Sequence, residues 1–180
     1  MNKDNDINRA ILSKRLRLNG HVVVGTTNGQ ECLAHIEADQ AFDAILMDIQ
    51  YLVLVARINC VIDILCRMPL LNGFETTQHI RALEQSQVLA NAEQGTPKNR
   101  RPSHVLNGRI PIFAVSASLL EKQSKELLDY GLDGWILKPI DFKRLKILLR
   151  GLTDQQQRQK DVYCPGYNWE SGGWLGKHDC

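Results

Sequence analysis

The sequence predicts an α/β protein built on a doubly wound parallel sheet. Two observations predict it. Short apolar runs alternate with stretches of helical spacing from residue 7 to 152, as expected of strands buried on both faces by crossover helices. Three of the runs end on a polar residue, at Asp48, Ser116 and Lys138, and in such sheets chemistry gathers beyond the carboxyl ends of the strands.

The elements follow in order. Ile7, Ile11, Leu12, Leu16 and Leu18 recur at helical spacing, and Gly20 supplies the stop. Val22, Val23 and Val24 form a β-branched strand. Asn28 is a good N-cap for a helix carrying Cys32, Leu33 and Ile36. Ala44 to Met47 is a buried strand that ends at Asp48, and a helix with Phe74, Ile80 and Leu83 follows Gly73. Ile110 to Val115 is a further strand ending at Ser116. Leu119 to Tyr130 reads as a helix stopped by Gly131. Trp135 to Leu137 is the last strand, ending at Lys138, and Asp141 caps a helix through Leu149 and Leu152.

Residues 87–108 carry Gly95, Pro97, Pro102 and Gly108 and are expected to form a long loop. Residues 1–152 would be the domain and 153–180 a tail: a Gln-rich linker or frayed helix end, then a Gly- and Trp-rich stretch lying against the domain or a partner.

Composition narrows the function classes. The 180 residues are 43% hydrophobic and 23% charged, with a formal net charge of +2, which gives no basic field for nucleic acid. Five cysteines, odd in number and without a CxxC pair, indicate neither a disulfide framework nor a zinc site, so a reducing, cytoplasmic setting is the expectation. Met1 is followed by polar residues, so no signal peptide is read there. The longest apolar run, Tyr51 to Cys66, contains Arg57, Asn59 and Asp63 and falls short of the ~20 apolar residues a membrane span needs.

Taken singly, a strand-end Asp is often a turn cap, a Ser after a buried strand is often structural, and a Lys before Pro is often solvated. Together the three make a site for phosphoryl chemistry. A carboxylate can take a phosphoryl group as nucleophile; a cation and a hydroxyl then hold the product oxygens. Asp48 would be the nucleophile, Lys138 would pair with a phosphoryl oxygen, and Ser116 would hydrogen-bond another. Asp4, Asp48 and the main-chain carbonyl of Gln50 would hold magnesium, which favours oxygen ligands.

AFDAILMDIQ, MPLLNGFE, RIPIFAVSAS and GLDGWILKPID, in that order and strand context, resemble the response-regulator receiver family over roughly residues 4 to 152. The resemblance implies a flavodoxin-like fold, with Asp48 as phosphoacceptor, Ser116 as the family's hydroxyl residue and Lys138 as its lysine. It implies a phosphorelay with a histidine kinase or histidine phosphotransfer protein as partner, and magnesium as cofactor. The tail residues Tyr163, Pro165, Gly166, Trp169, Glu170, Gly172, Gly173 and Trp174 resemble a tail found after the C-terminal receivers of fungal-type hybrid histidine kinases, or are simply a packing tail.

The sequence departs from the family in three ways. Lys3 stands where the family has the first of two acids, with Asp4 in the second place. The family's first strand, central in the order 2-1-3-4-5, is missing, which would leave two strand edges unpaired. Residues 51–67, YLVLVARINCVIDILCR, separate Gln50 from Met68, and deleting them gives the unbroken family match MDIQMPLLNGFE. This apolar insertion after the third strand has two readings. It is a translated intron, since codons for Gln50–Tyr51 and Cys66–Arg67 can hold a splice donor and acceptor. Otherwise it is a genuine insertion, whose Leu52 to Val55 could form a strand and even fill the empty central slot.

Three functions follow: a phosphorelay receiver, a degenerate receiver acting only as an interaction module or without activity, and a phosphatase of the haloacid-dehalogenase type. The last needs a second Asp two residues after the nucleophile, where this chain has Gln50. No kinase motif is present, so the chain is not read as an enzyme in its own right.

Overall fold

The computed structural model describes residues 3–38, 42–49, 52–57, 61–63, 72–94, 108–167 and 169–176, with the backbone alone in 3–9, 52–57, 61–63, 87–88 and 90–94. In chain order the elements are α1 (Lys3–Leu18), β1 (Val22–Gly25), α2 (Gly29–Ala38), β2 (Ala44–Asp48), β3 (Leu52–Arg57), β4 (Val61–Asp63), α3 (Gly73–Gln94), β5 (Ile112–Ser116), α4 (Ser124–Asp129), β6 (Gly134–Leu137), α5 (Phe142–Arg150), α6 (Gln155–Lys160) and β7 (Gly173–Trp174).

One seven-stranded sheet runs β1-β4-β3-β2-β5-β6-β7, with β1 paired to β3 as well as to the short β4. β2, β5 and β6 are mutually parallel. β1 is parallel to β2 as well, since both run antiparallel to β3. Strand alternation sends side chains to two cores. Ile45, Met47, Ile112 and Ala114 pack with Ile36 of α2, Ile80 of α3 and Leu127 of α4. Ala44, Leu46, Phe113 and Val115 pack with Leu12 and Leu16 of α1 and Leu145, Leu148 and Leu149 of α5. The sheet is therefore covered on both faces, as the apolar runs require.

Local chemistry sets the helix starts. Asn28 Oδ1 accepts from Glu31 N at 2.8 Å and the Glu31 carboxylate accepts from Thr27 N at 2.6 Å. Asn72 and Glu75 repeat the exchange at α3, with Glu75 N donating to Asn72 Oδ1 at 2.8 Å and Asn72 N to Glu75 Oε2 at 2.7 Å. Each satisfies donors that a helix start leaves open. Asp141 caps α5 by accepting from Lys143 N at 2.8 Å. Gly131, at φ +91°, turns the chain out of the α4 end in a conformation that side-chain residues rarely adopt.

Several expectations need correcting. The loop expected over 87–108 begins later, because α3 continues to Gln94; Leu89, Ala90, Ala92, Glu93 and Gln94 are good helix formers and no Gly or Pro intervenes before Gly95. The helix expected from Leu119 begins at Ser124 after a single 3-10 turn, because Leu119 is buried in the core and Leu120 is extended. The Gln-rich linker is α6, capped by Asp154, whose side chain accepts from Gln157 N. The tail lies against the domain, one of the two placements expected of it: β7 pairs with β6, and Trp174 is fully buried against Phe113.

The central slot is filled. β3 pairs antiparallel with β1 on one side, Val22 opposite Arg57, and with β2 on the other, Asp48 opposite Leu52. The two strand edges expected to be unpaired are thus satisfied by the inserted segment itself, whose β-branched and apolar residues suit a central strand. Pro69 and the rest of 64–71 lie outside the described residues.

Candidate functional site

Parallel registry explains why three residues far apart in sequence meet. Asp48, last in β2, is opposite Val115 of β5, and Ser116, last in β5, is opposite Leu137 of β6. The pairing continues one step past each strand: Ile49 N donates to Val115 O at 3.1 Å and Lys138 N to Ser116 O at 2.8 Å. Asp48, Ser116 and Lys138 therefore lie side by side along the carboxyl edge of three adjacent strands.

Their side chains differ in access to water. Asp48 is 1% exposed and Ser116 2%, while the Lys138 side chain keeps 23% of its surface. Lys138 Nζ forms an ion pair with Asp48 Oδ2. A buried carboxylate is costly without a partner, and Lys138 supplies a positive charge while its side chain keeps contact with water. The Ser116 hydroxyl accepts from Ser118 N at 3.2 Å, so it is oriented by its own loop. Gly73, at the start of α3, packs closely against the end of β2: a Cβ there would stand 3.3 Å from Asp48 O and 3.2 Å from Met47 Cγ. The sequence offered Gly73 as a helix start; this close approach was not legible in it.

The expected metal ligands are only partly within view. Asp48 offers the hard carboxylate oxygen that magnesium takes. Asp4 sits in the first turn of α1, its side chain not described, and Gln50 lies outside the described residues. Among the described residues no three His, Cys, Asp or Glu gather to hold a metal ion. The strand in the central slot runs opposite to its neighbours, so the residue it sets across from Asp48 is Leu52 rather than an acid. No helix among the described residues is long and apolar enough to cross a membrane.

No family model matches the chain. Hybrid signal transduction histidine kinase B of Dictyostelium discoideum is 30% identical over 138 residues, which is 77% of this chain and 6% of that protein. The chain spans 10 to 15% of the length of the histidine kinases of Oryza sativa subsp. japonica and Arabidopsis thaliana that it matches. Among solved structures, the receiver domain of a Pseudomonas aeruginosa sensor histidine kinase, with magnesium in its active-site cleft, aligns over 82% of this chain and 89% of that one, with a TM-score of 0.53 and 23% identity. A Saccharomyces cerevisiae response-regulator receiver, solved with a histidine phosphotransfer protein, aligns over 93% of this chain with a TM-score of 0.54 and 20% identity; the match covers 90% of that chain. The chain has the receiver-domain fold, and over about four-fifths of its length its sequence resembles that of hybrid histidine kinases.

Proposed function

We propose that this chain is a phosphorelay receiver that takes a phosphoryl group from a phosphohistidine onto Asp48. The observation that carries the reading is the buried Asp48 carboxylate, paired with Lys138 and one strand away from the Ser116 hydroxyl. An Asp48 oxygen attacks phosphorus, the bond from phosphorus to the donor imidazole nitrogen breaks, and the electron pair returns to the ring. Lys138 then turns from the carboxylate to a phosphoryl oxygen, and the Ser116 hydroxyl donates to another. Magnesium, when bound, neutralises the oxygens that crowd together in transfer. Asp48, Asp4 and the Gln50 carbonyl would hold it, with Lys3 in place of the family's first acid. The partner is a histidine kinase or a histidine phosphotransfer protein in the cytoplasm.

The test is incubation with a radiolabelled small phosphodonor and magnesium. Wild type takes label, Asp48→Asn does not, and a chelator abolishes the reaction. Label that persists in Asp48→Asn would refute the assignment.

A second reading has its own support. With Leu52 opposite Asp48 and Lys3 replacing an acid, the chain with residues 51–67 retained acts as a degenerate receiver, an interaction module without phosphoryl transfer. Under that reading magnesium titration of the retained form gives no binding. A spliced form joining Gln50 to Met68 appears among transcripts if the segment is an intron; transcripts that always retain it rule the intron out.

A further inference from the structure

We propose that residues 161–167 and 169–175 form a strap on the loop after Ser116 and act as a brake on phosphorylation. The braking half rests on the phosphorelay reading; the strap does not.

The loop from Ala117 to Gln123 joins Ser116 to α4 and is tied to the tail at two points. The Glu121 carboxylate accepts from the Tyr163 hydroxyl at 3.1 Å and from Gly166 N at 2.5 Å. The Leu119 carbonyl accepts from Trp169 Nε1 at 3.1 Å. Leu119 is three residues past Ser116 and Glu121 five.

Tyr163, Trp169 and their neighbours also fix the strap to the body of the domain. Trp169 stacks on Trp135 of β6 with ring centroids 4.4 Å apart, and its carbonyl accepts from Trp135 Nε1 at 2.9 Å. Tyr163 meets both indoles edge-on at 5.6 Å. Arg144 of α5 donates to the carbonyls of Ser171 at 3.1 Å and Gly172 at 2.8 Å and pairs with Asp161. The tie to the loop combines Leu119, buried in the same core as Trp169, with the hydrogen bonds around the half-buried Glu121. A strap so built holds the loop until those bonds give way. Drawing Ser116 towards a phosphoryl group pulls on the same short segment, so the two movements compete. Burial also pushes the Tyr163 phenol above its ordinary value.

The coupling is reciprocal by linkage, and that sets the test. Hydrogen exchange is measured by mass spectrometry on the full chain as wild type, Tyr163→Phe and Glu121→Ala. Tyr163→Phe is expected to speed exchange in the loop 117–123 roughly three- to tenfold, as loss of about one hydrogen bond implies, and Glu121→Ala, which removes the acceptor of both the Tyr163 hydroxyl and Gly166 N, to speed exchange in 163–167 by at least as much. Labelling by acetyl phosphate with magnesium is expected to accelerate by a similar factor in both variants. Unchanged loop exchange in Tyr163→Phe overturns the strap. Faster exchange with unchanged labelling, in a wild type that does label, overturns the brake. A wild type that takes no label defeats the phosphorelay reading and with it the brake, while the exchange data still decide the strap.

Discussion

Cutting Lys138 back to alanine removes a cationic partner of the buried Asp48 carboxylate, and the cost can be bounded from the exposure of the two side chains. Asp48 is 1% exposed, and its ion-pair partner's side chain is 23% exposed. Removing one member of a fully buried pair costs about 3–5 kcal/mol, whereas fully exposed pairs contribute about 0–1 kcal/mol. Lys138 lies between these limits, and its removal lets some water reach the carboxylate, so Lys138→Ala is expected to cost about 2–3 kcal/mol. With a urea m-value of about 2 kcal/mol/M for a domain of this size, the unfolding midpoint falls by about 1–1.5 M. Asp48→Asn leaves only a lysine with access to solvent and costs about 1 kcal/mol or less. In that background Lys138→Ala loses little more, so the double-mutant cycle returns a coupling of about 2–3 kcal/mol. Added salt changes it little, because the carboxylate is shielded from ions. Equal cost of Lys138→Ala in both backgrounds would show that Lys138 does not stabilise the buried Asp48 charge.

Three further outcomes follow from other parts of the molecule. Arg81 joins α3 to the β5 and β6 ends by donating to Gly131 O at 2.8 Å, Ile110 O at 2.9 Å and Asp133 at 2.6 Å. Arg81→Ala is therefore expected to cost about 3–5 kcal/mol in urea unfolding, and Arg81→Lys nearly as much, since an ammonium cannot span the same acceptors; a loss under about 1 kcal/mol contradicts this. Trp174→Ala removes a fully buried ring and should cost about 3–5 kcal/mol with a matching fall in thermal midpoint; an unchanged midpoint would show the tail to be dispensable. Cys32 is fully buried and burial pushes its thiol well above the ordinary range. Because the thiolate is the reactive form, iodoacetamide should leave Cys32 unmodified in the native chain and alkylate it in urea, and native alkylation would contradict its burial.

The strand ends were readable in the sequence because each is written locally. An apolar run that stops on Asp48, Ser116 or Lys138 declares both the strand and its edge, and parallel pairing then aligns the edges. Caps were readable for the same reason: Asn28 and Asp141 act within three residues of themselves. What depends on distant partners was less legible. Nothing in Leu52 to Arg57 names β1 and β2 as its neighbours, because strand pairing is fixed by which edges stand open. Gly173 and Trp174 are too short a strand for any period to reveal, and they find β6 because Trp174 fills the space over Phe113. Leu119 reads like the first apolar residue of a helix, yet it serves as a core anchor ahead of the turn, which pushes the helix start to Ser124.

The central claim is that Asp48 carries the phosphoryl group, and borohydride trapping tests it most directly. Reduction of an aspartyl phosphate converts that aspartate to homoserine, which peptide mass spectrometry locates. After treatment with acetyl phosphate and magnesium, the account predicts homoserine at position 48 and at no other aspartate. Homoserine at Asp43 or Asp141, or none at all under conditions that label a known receiver, would contradict it.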